Sequence, residues 1–77
     1  MKSLASLPSR SIATVVAIRE GVLAPKLVEM GLFKGCKVAV LFRAPFNGPM
    51  AIDLGTSVLS LRLDEAEMVV VEDEKSA

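Results

Sequence analysis

The stretch that decides the fold is residues 26–66, KLVEMGLFKGCKVAVLFRAPFNGPMAIDLGTSVLSLRLDEA. It joins one short helical pattern, a glycine turn and three strand patterns, and it contains no grouping of side chains that is typical of a catalytic site. Because the period-2 strand patterns outnumber the single helical pattern, the stretch predicts a mainly β fold.

The clearest strand in this stretch is Cys36–Ala44, where apolar and polar positions alternate as in a strand with one face in water. The alternation predicts that Val38, Val40 and Phe42 face the core and that Lys37 and Arg43 face solvent.

A proline-bounded turn follows at Ala44–Pro49, APFNGP. Within it Asn47-Gly48 is a typical hairpin pair, because both residues tolerate positive φ. The chain after the turn is predicted to form two strands, one helical turn, a last strand and a frayed charged tail, at residues 50–54, 58–63, 64–67, 68–71 and 72–77.

Two elements precede these strands. Ser11–Ile18 is short and rich in β-branched residues, which favours a strand. Leu23–Met30 has apolar residues at spacings of four and three, and Pro25 suits the first turn of a helix. This segment therefore predicts a short helix, with Gly31 as its left-handed cap residue.

Together these patterns predict a small SH3-like barrel of about five strands with one short α-helix inserted after the first strand. Closure of the barrel removes vulnerable sheet edges. Residues 1–77 are predicted to form a single domain, since 77 residues suffice for one small core.

The composition argues against several classes of protein. Nine Lys plus Arg balance nine Asp plus Glu, so the chain has no net charge with which to attract nucleic acid or an anionic membrane. Uninterrupted apolar runs are only a handful of residues long, so direct membrane insertion is not predicted. A single Cys and an N-terminal segment broken by Ser, Pro and Arg predict a cytoplasmic protein.

Catalytic and metal-binding chemistry is scarce. The chain has no His and one Cys, Cys36, so we predict no enzyme activity, no cofactor and no tight transition-metal site. Cys36 is expected to be a small, half-buried apolar residue. Solvated turns are the expected role of the carboxylates, namely Asp53, Asp64, Glu65, Glu67, Glu72, Asp73 and Glu74.

The order of several motifs resembles the FeoA family, the small cytosolic component of bacterial ferrous iron uptake. The motifs are MGLFKG, APFNGP, LSLR and EAEMVVV, at Met30–Gly35, Ala44–Pro49, Leu59–Arg62 and Glu65–Val71, with a similar leader at Leu4–Pro8. The resemblance implies an SH3-like barrel that acts on the membrane ferrous iron transporter FeoB, whose cytosolic part carries a GTP-binding domain. Similar barrels occur at the ends of iron-responsive repressors.

Two positions depart from the family pattern. The family often has a glycine near Ser9–Ser11, and an acidic residue in the hairpin where this chain has Asn47-Gly48. A partner contact made by a hairpin carboxylate is therefore not carried over to this chain.

The hairpin loop is still the best candidate for contact with a partner, because rigid turn residues lower the entropy cost of binding. Its candidate residues are Arg43, Pro45, Phe46 and Asn47. Phe46 either folds back onto the domain or meets a partner, and Arg43 and Arg62 either pair with a partner's carboxylates or stay solvated.

These observations favour a non-enzymatic accessory protein that regulates ferrous iron uptake by binding the cytosolic GTP-binding part of FeoB. The alternatives are a protein-interaction barrel related to the C-terminal domain of iron-dependent repressors and a generic peptide-binding module. Formation of a homo-oligomer is left open by the sequence.

Overall fold

The computed structural model describes residues 2–74, and in this part of the chain six strands form one antiparallel sheet in the order β1-β6-β2-β3-β4-β5. The strands are β1 (Lys2–Ser3), β2 (Ile12–Ile18), β3 (Lys37–Arg43), β4 (Met50–Asp53), β5 (Val58–Leu61) and β6 (Val69–Asp73). The helical segments are a 3₁₀ turn (Leu4–Ser6) and the α-helices α1 (Ala24–Glu29) and α2 (Leu63–Glu67).

The predicted mainly β architecture is confirmed, including the helix after the first predicted strand and the helical turn before the last one. Strand β1 could not be predicted from the sequence, because its two residues are too few to show a periodic pattern. They form a strand only by pairing with Val70 and Val71 of β6. The prediction of a frayed tail over residues 72–77 begins too early, since Glu72 and Asp73 belong to β6. Residues 75–77 of that tail lie outside the described residues.

The core lies on one face of the sheet and is almost entirely aliphatic. Strands β2, β3, β4 and β6 contribute alternate residues, and the 3₁₀ turn and α2 add side chains from one end. The largest side chains that are less than 2% exposed are Leu4, Leu7, Leu27, Leu32, Met50, Ile52, Leu61, Val15, Val38, Val40, Val69 and Val71.

Helix α1 ends at Glu29, and Gly31, predicted as its left-handed cap residue, has φ +101°. The Gly31 N–H donates to the Val28 carbonyl at 3.0 Å and the Leu32 N–H donates to the Leu27 carbonyl at 3.0 Å. This pair of bonds is the Schellman arrangement, which satisfies the last carbonyls of a helix. It also turns the chain so that Leu32 is buried.

A β-bulge interrupts β3 and reverses the predicted direction of its last side chains. Val40 pairs with Ile52, but the next pair is Phe42 with Ala51, so the register shifts by one residue. The prediction that Phe42 faces the core is therefore wrong, and its side chain is 56% exposed. Arg43, predicted to face solvent, instead lies opposite the buried residue Met50.

Within residues 2–74, no helix is long and apolar enough to cross a membrane.

Candidate protein-binding site at the β3–β4 hairpin

The hairpin between β3 and β4 ends in a tight four-residue turn, Pro45–Gly48. The Gly48 N–H donates to the Pro45 carbonyl at 3.1 Å, and the Ala44 N–H donates to the Pro49 carbonyl at 2.9 Å. Phe46 and Asn47 both have φ +59°, the pattern of the turns that match strand twist in hairpins. The prediction of a positive-φ pair at Asn47-Gly48 is wrong by one residue.

Phe46 occupies the tip of this turn and is 99% exposed. The alternative that Phe46 folds back onto the domain is therefore wrong. A bulky residue with positive φ costs about 1–2 kcal/mol relative to glycine, and strain of this kind often accumulates at functional sites. Phe46 thus adds nothing to the core and strains the turn, which leaves its ring available to a partner.

Gly48 allows the two arms of the turn to approach each other closely. A Cβ atom at Gly48 would lie 2.7 Å from the Ala44 Cβ and 3.1 Å from the Pro45 carbonyl oxygen. The two arms of the turn are therefore packed closer than any larger residue would permit. A turn that is ordered before binding loses little entropy when a partner docks.

Arg43 braces the base of the hairpin. Its side chain is partly buried, and its Nη1 donates a hydrogen bond to the Leu7 carbonyl at 3.0 Å. This bond ties the hairpin to the segment after the 3₁₀ turn. Of the four residues predicted to contact a partner, Pro45, Phe46 and Asn47 are exposed at the tip. Arg43 is partly buried and supports the base of the hairpin.

A cleft of about 550 Å³ lies beside the tip, between the hairpin and the start of α2. The exposed side chain of Arg62 lines it and can offer two parallel hydrogen bonds to a carboxylate. Sequence reasoning did not place Arg62 beside the hairpin, because only the register Met50↔Leu61 brings the two together. The cleft residues are Asn47, Gly48, Pro49, Arg62, Leu63 and Asp64.

Glu65 anchors the start of α2, which forms one wall of this cleft. Its Oε1 accepts from the Arg62 N–H at 2.9 Å, and its Oε2 lies 2.5 Å from the Lys26 ammonium nitrogen. The hydrogen bond from Lys26 lowers the pKa of Glu65, the Arg62 N–H lowers it further, and burial opposes both. The prediction that Glu65 is solvated is wrong, because its side chain is 5% exposed and links α2 to α1.

Between Lys2 and Glu74, no three His, Cys, Asp or Glu side chains lie close enough together to hold a metal ion. Cys36 is a free, half-buried thiol, which confirms its expected role as a small apolar residue. The candidate site therefore consists of the exposed Phe46 side chain on the Pro45–Gly48 turn and the neighbouring cleft lined by Arg62.

Comparison with solved structures gives the same fold. An iron uptake regulatory protein FeoA is 29% identical with a TM-score of 0.84, covering 95% of this chain and 96% of that one. A FeoA-like protein from Clostridium acetobutylicum is 28% identical with a TM-score of 0.91, covering 99% and 90%. FeoA of Stenotrophomonas maltophilia, a procaryotic SH3 domain protein crystallised with zinc, is 28% identical with a TM-score of 0.82, covering 94% and 91%.

The same fold extends to part of some metal-dependent regulators. A manganese-dependent transcriptional repressor matches with a TM-score of 0.81 at 17% identity over 39% of its length. This likeness concerns the fold alone. No curated protein sequence matches the chain.

The sheet order, the short helices and the exposed hairpin define a small SH3-like domain. A family model for the FeoA domain matches residues 2–73, so the chain belongs to the FeoA family, which is associated with ferrous iron transport. The family resemblance read from the sequence motifs is confirmed.

Proposed function

We propose that this chain is a non-enzymatic accessory protein of ferrous iron uptake, and that it binds the cytosolic GTP-binding part of a FeoB-type transporter through the β3–β4 hairpin. The observation that carries the proposal is Phe46, which is 99% exposed at the tip of a turn whose backbone it strains. Aromatic side chains, Phe among them, are enriched at the buried centres of protein interfaces.

Family membership supplies the physiological context. For FeoA of Stenotrophomonas maltophilia, a role as an activating factor of bacterial ferrous iron transport has been suggested. Regulation without catalysis requires different affinities for two states of the partner. We therefore expect the chain to bind the GTP-bound and GDP-bound forms of the transporter domain with unequal affinity.

Replacing Phe46 with alanine should weaken capture of the transporter's GTP-binding domain about tenfold or more, the typical loss for an aromatic anchor. The fold should survive, because this side chain contacts no core residue and a core Phe truncation would cost about 3–5 kcal/mol. The measurements are a titration against the domain loaded with a GTP analogue or with GDP, and a thermal melt of the same preparation.

Val22→Ala is the matched control, because Val22 is 96% exposed and lies outside the hairpin. It should change neither the melt nor the affinity. If Phe46→Ala had the affinity and the melting temperature of the wild type, the partner-binding face would lie outside the hairpin.

A second expectation concerns metal. A monomer of this chain should hold no tight ferrous or zinc ion, since it offers no His and a single thiol. Calorimetry on a sample shown to be monomeric by light scattering checks this. Stoichiometric sub-micromolar binding by that monomer would contradict it, whereas a weak ion shared between two copies would not.

A further inference from the structure

The outer face of the sheet carries an apolar surface that the proposed function does not use. One row of paired residues on this face is Ile12, Ala39, Asp53 and Val58, and a second row is Phe42, Ala51 and Ser60, with Leu41 in the bulge beside Phe42. Neighbours of these residues on the same strands, such as Val38, Val40 and Ile52, point into the core. We name this surface the outer apolar face; its exposed apolar members are Ile12, Leu41, Phe42 and Val58.

A cleft of about 230 Å³ opens on this face at the end of the β3–β4 ladder that is far from the hairpin tip. Its walls are mostly aliphatic, and Lys37 and Asp53 stand among them. An apolar cavity of about 150 Å³ is enough to admit a benzene ring, so the cleft has room for a phenyl group. The residues around it are Ile12, Lys37, Val38, Ala39, Asp53, Leu54 and Gly55.

We name this cleft the Ala39 cleft. It has room for a phenyl group, and the fully exposed Phe46 ring lies at the opposite end of the same hairpin. We propose that two copies pair through their outer apolar faces, with the Phe46 ring of each copy seated in the Ala39 cleft of the other. A two-fold axis would reverse one hairpin against the other, so that each tip lies over the opposite cleft.

The spacing along the hairpin suits this arrangement. From Asp53 to the tip the chain advances about six residues, or roughly 20 Å at about 3.4 Å per residue. Leu41 and Phe42 lie near the middle of that distance, where a two-fold axis would bring them against their own counterparts. The contact is then continuous from one tip to the other.

Charge and area also favour a second copy as the occupant. The chain has a formal net charge of zero, so two copies do not repel, and residues 45–48 of the tip carry no charge. Phe46 and the exposed parts of Ile12, Leu41, Phe42 and Val58 amount to roughly 600 Å² per copy, taking about 150–250 Å² for a whole aromatic side chain. A symmetric pair would bury about 1,200 Å², the lower end of the range for specific interfaces.

Sedimentation of the full chain with a reducing agent, from about 5 μM to about 1 mM, tests the pairing over the range expected of a small interface. The wild type should form a reversible dimer. Phe46→Asp should raise the dimer dissociation constant at least tenfold without loss of fold, since Asp is tolerated at positive φ. Ala39→Glu, which fills the cleft with a charge, should do the same.

Val22→Asp is the control of equal charge at an equally exposed apolar position, and it should dimerise as the wild type does. A wild type that stays monomeric to about 1 mM would overturn the proposal. So would a dimer that either Phe46→Asp or Ala39→Glu leaves intact.

Pairing of this kind would hide the tip from the transporter, a consequence that rests on the proposed function. Ala39→Glu keeps Phe46 but should stay monomeric, so at high protein concentration it should capture the transporter domain better than the wild type does. Capture by no variant would reject the transporter contact while the sedimentation result stands. Equal capture by Ala39→Glu and by a dimeric wild type would show that the dimer leaves the tip free, and would overturn the proposed position of Phe46.

Discussion

Replacing Glu65 with alanine is expected to lower the free energy of unfolding by about 2–4 kcal/mol, the sum of a lost helix cap and a lost hydrogen bond between charged groups. A domain of this size is stable by only about 4–12 kcal/mol, so the variant should melt well below the wild type. Glu65 is buried, and it joins the N-terminal end of α2 to Lys26 on α1. Chemical denaturation at neutral pH measures the loss.

Glu67→Ala is the matched control for Glu65→Ala, because both glutamates lie on α2 and Glu67 is exposed. The control should change the free energy of unfolding by no more than about 0.5 kcal/mol. Similar losses in the two variants would mean that the cost does not come from the particular contacts of Glu65.

Glu65→Gln separates the charge from the cap, because a glutamine oxygen still accepts from the Arg62 N–H. The pKa of Glu65 in the folded protein is lowered below 4.5, chiefly by the hydrogen bond from Lys26. The ionised form therefore adds stability above pH 4.5, and that stability is lost as the pH falls through the folded-state pKa. Wild type and Glu65→Gln should differ at neutral pH and converge in acid, whereas a constant difference would show that the charge has no part.

The mainly β fold could be predicted because period-2 alternation and turn residues are local signals. The side-chain directions at the end of β3 could not, because the bulge that reverses them arises from the pairing of Val40 with Ile52 and of Phe42 with Ala51. Glu65 was misjudged for a related reason. Its acidic neighbours make residues 64–67 read as a solvated turn, and its partner Lys26 lies 39 positions away in the sequence.

The candidate site was predictable in position but not in geometry. The Pro, Asn and Gly of residues 44–49 located the hairpin, and an apolar residue near its tip suggested contact. What the sequence could not show is that Phe46 itself takes positive φ, while Gly48 serves a close approach and not a left-handed conformation. Arg62 enters the site only through the pairing of β4 with β5.

Gly48→Ala should destabilise the domain by about 2–3 kcal/mol, the upper part of the cost of forcing an extra methyl group into a packed site. The new Cβ would lie 2.7 Å from the Ala44 Cβ, and neither atom belongs to a flexible side chain that can swing away. The arms of the turn must then separate, which shifts Phe46. We therefore expect a lower melting temperature together with weaker capture of the transporter domain.

The double variant Ala44→Gly with Gly48→Ala identifies the cause of this loss. Removing the Ala44 Cβ relieves the shorter contact and leaves the 3.1 Å approach to the Pro45 carbonyl, so the melting temperature should recover in part. Gly35→Ala is the comparison, because a Cβ there meets nothing within 4 Å and the only cost is its φ of +96°. Ala44→Gly should not rescue Gly35→Ala, and if it rescued both equally, the close packing of the hairpin arms would not be what holds Phe46 at the tip.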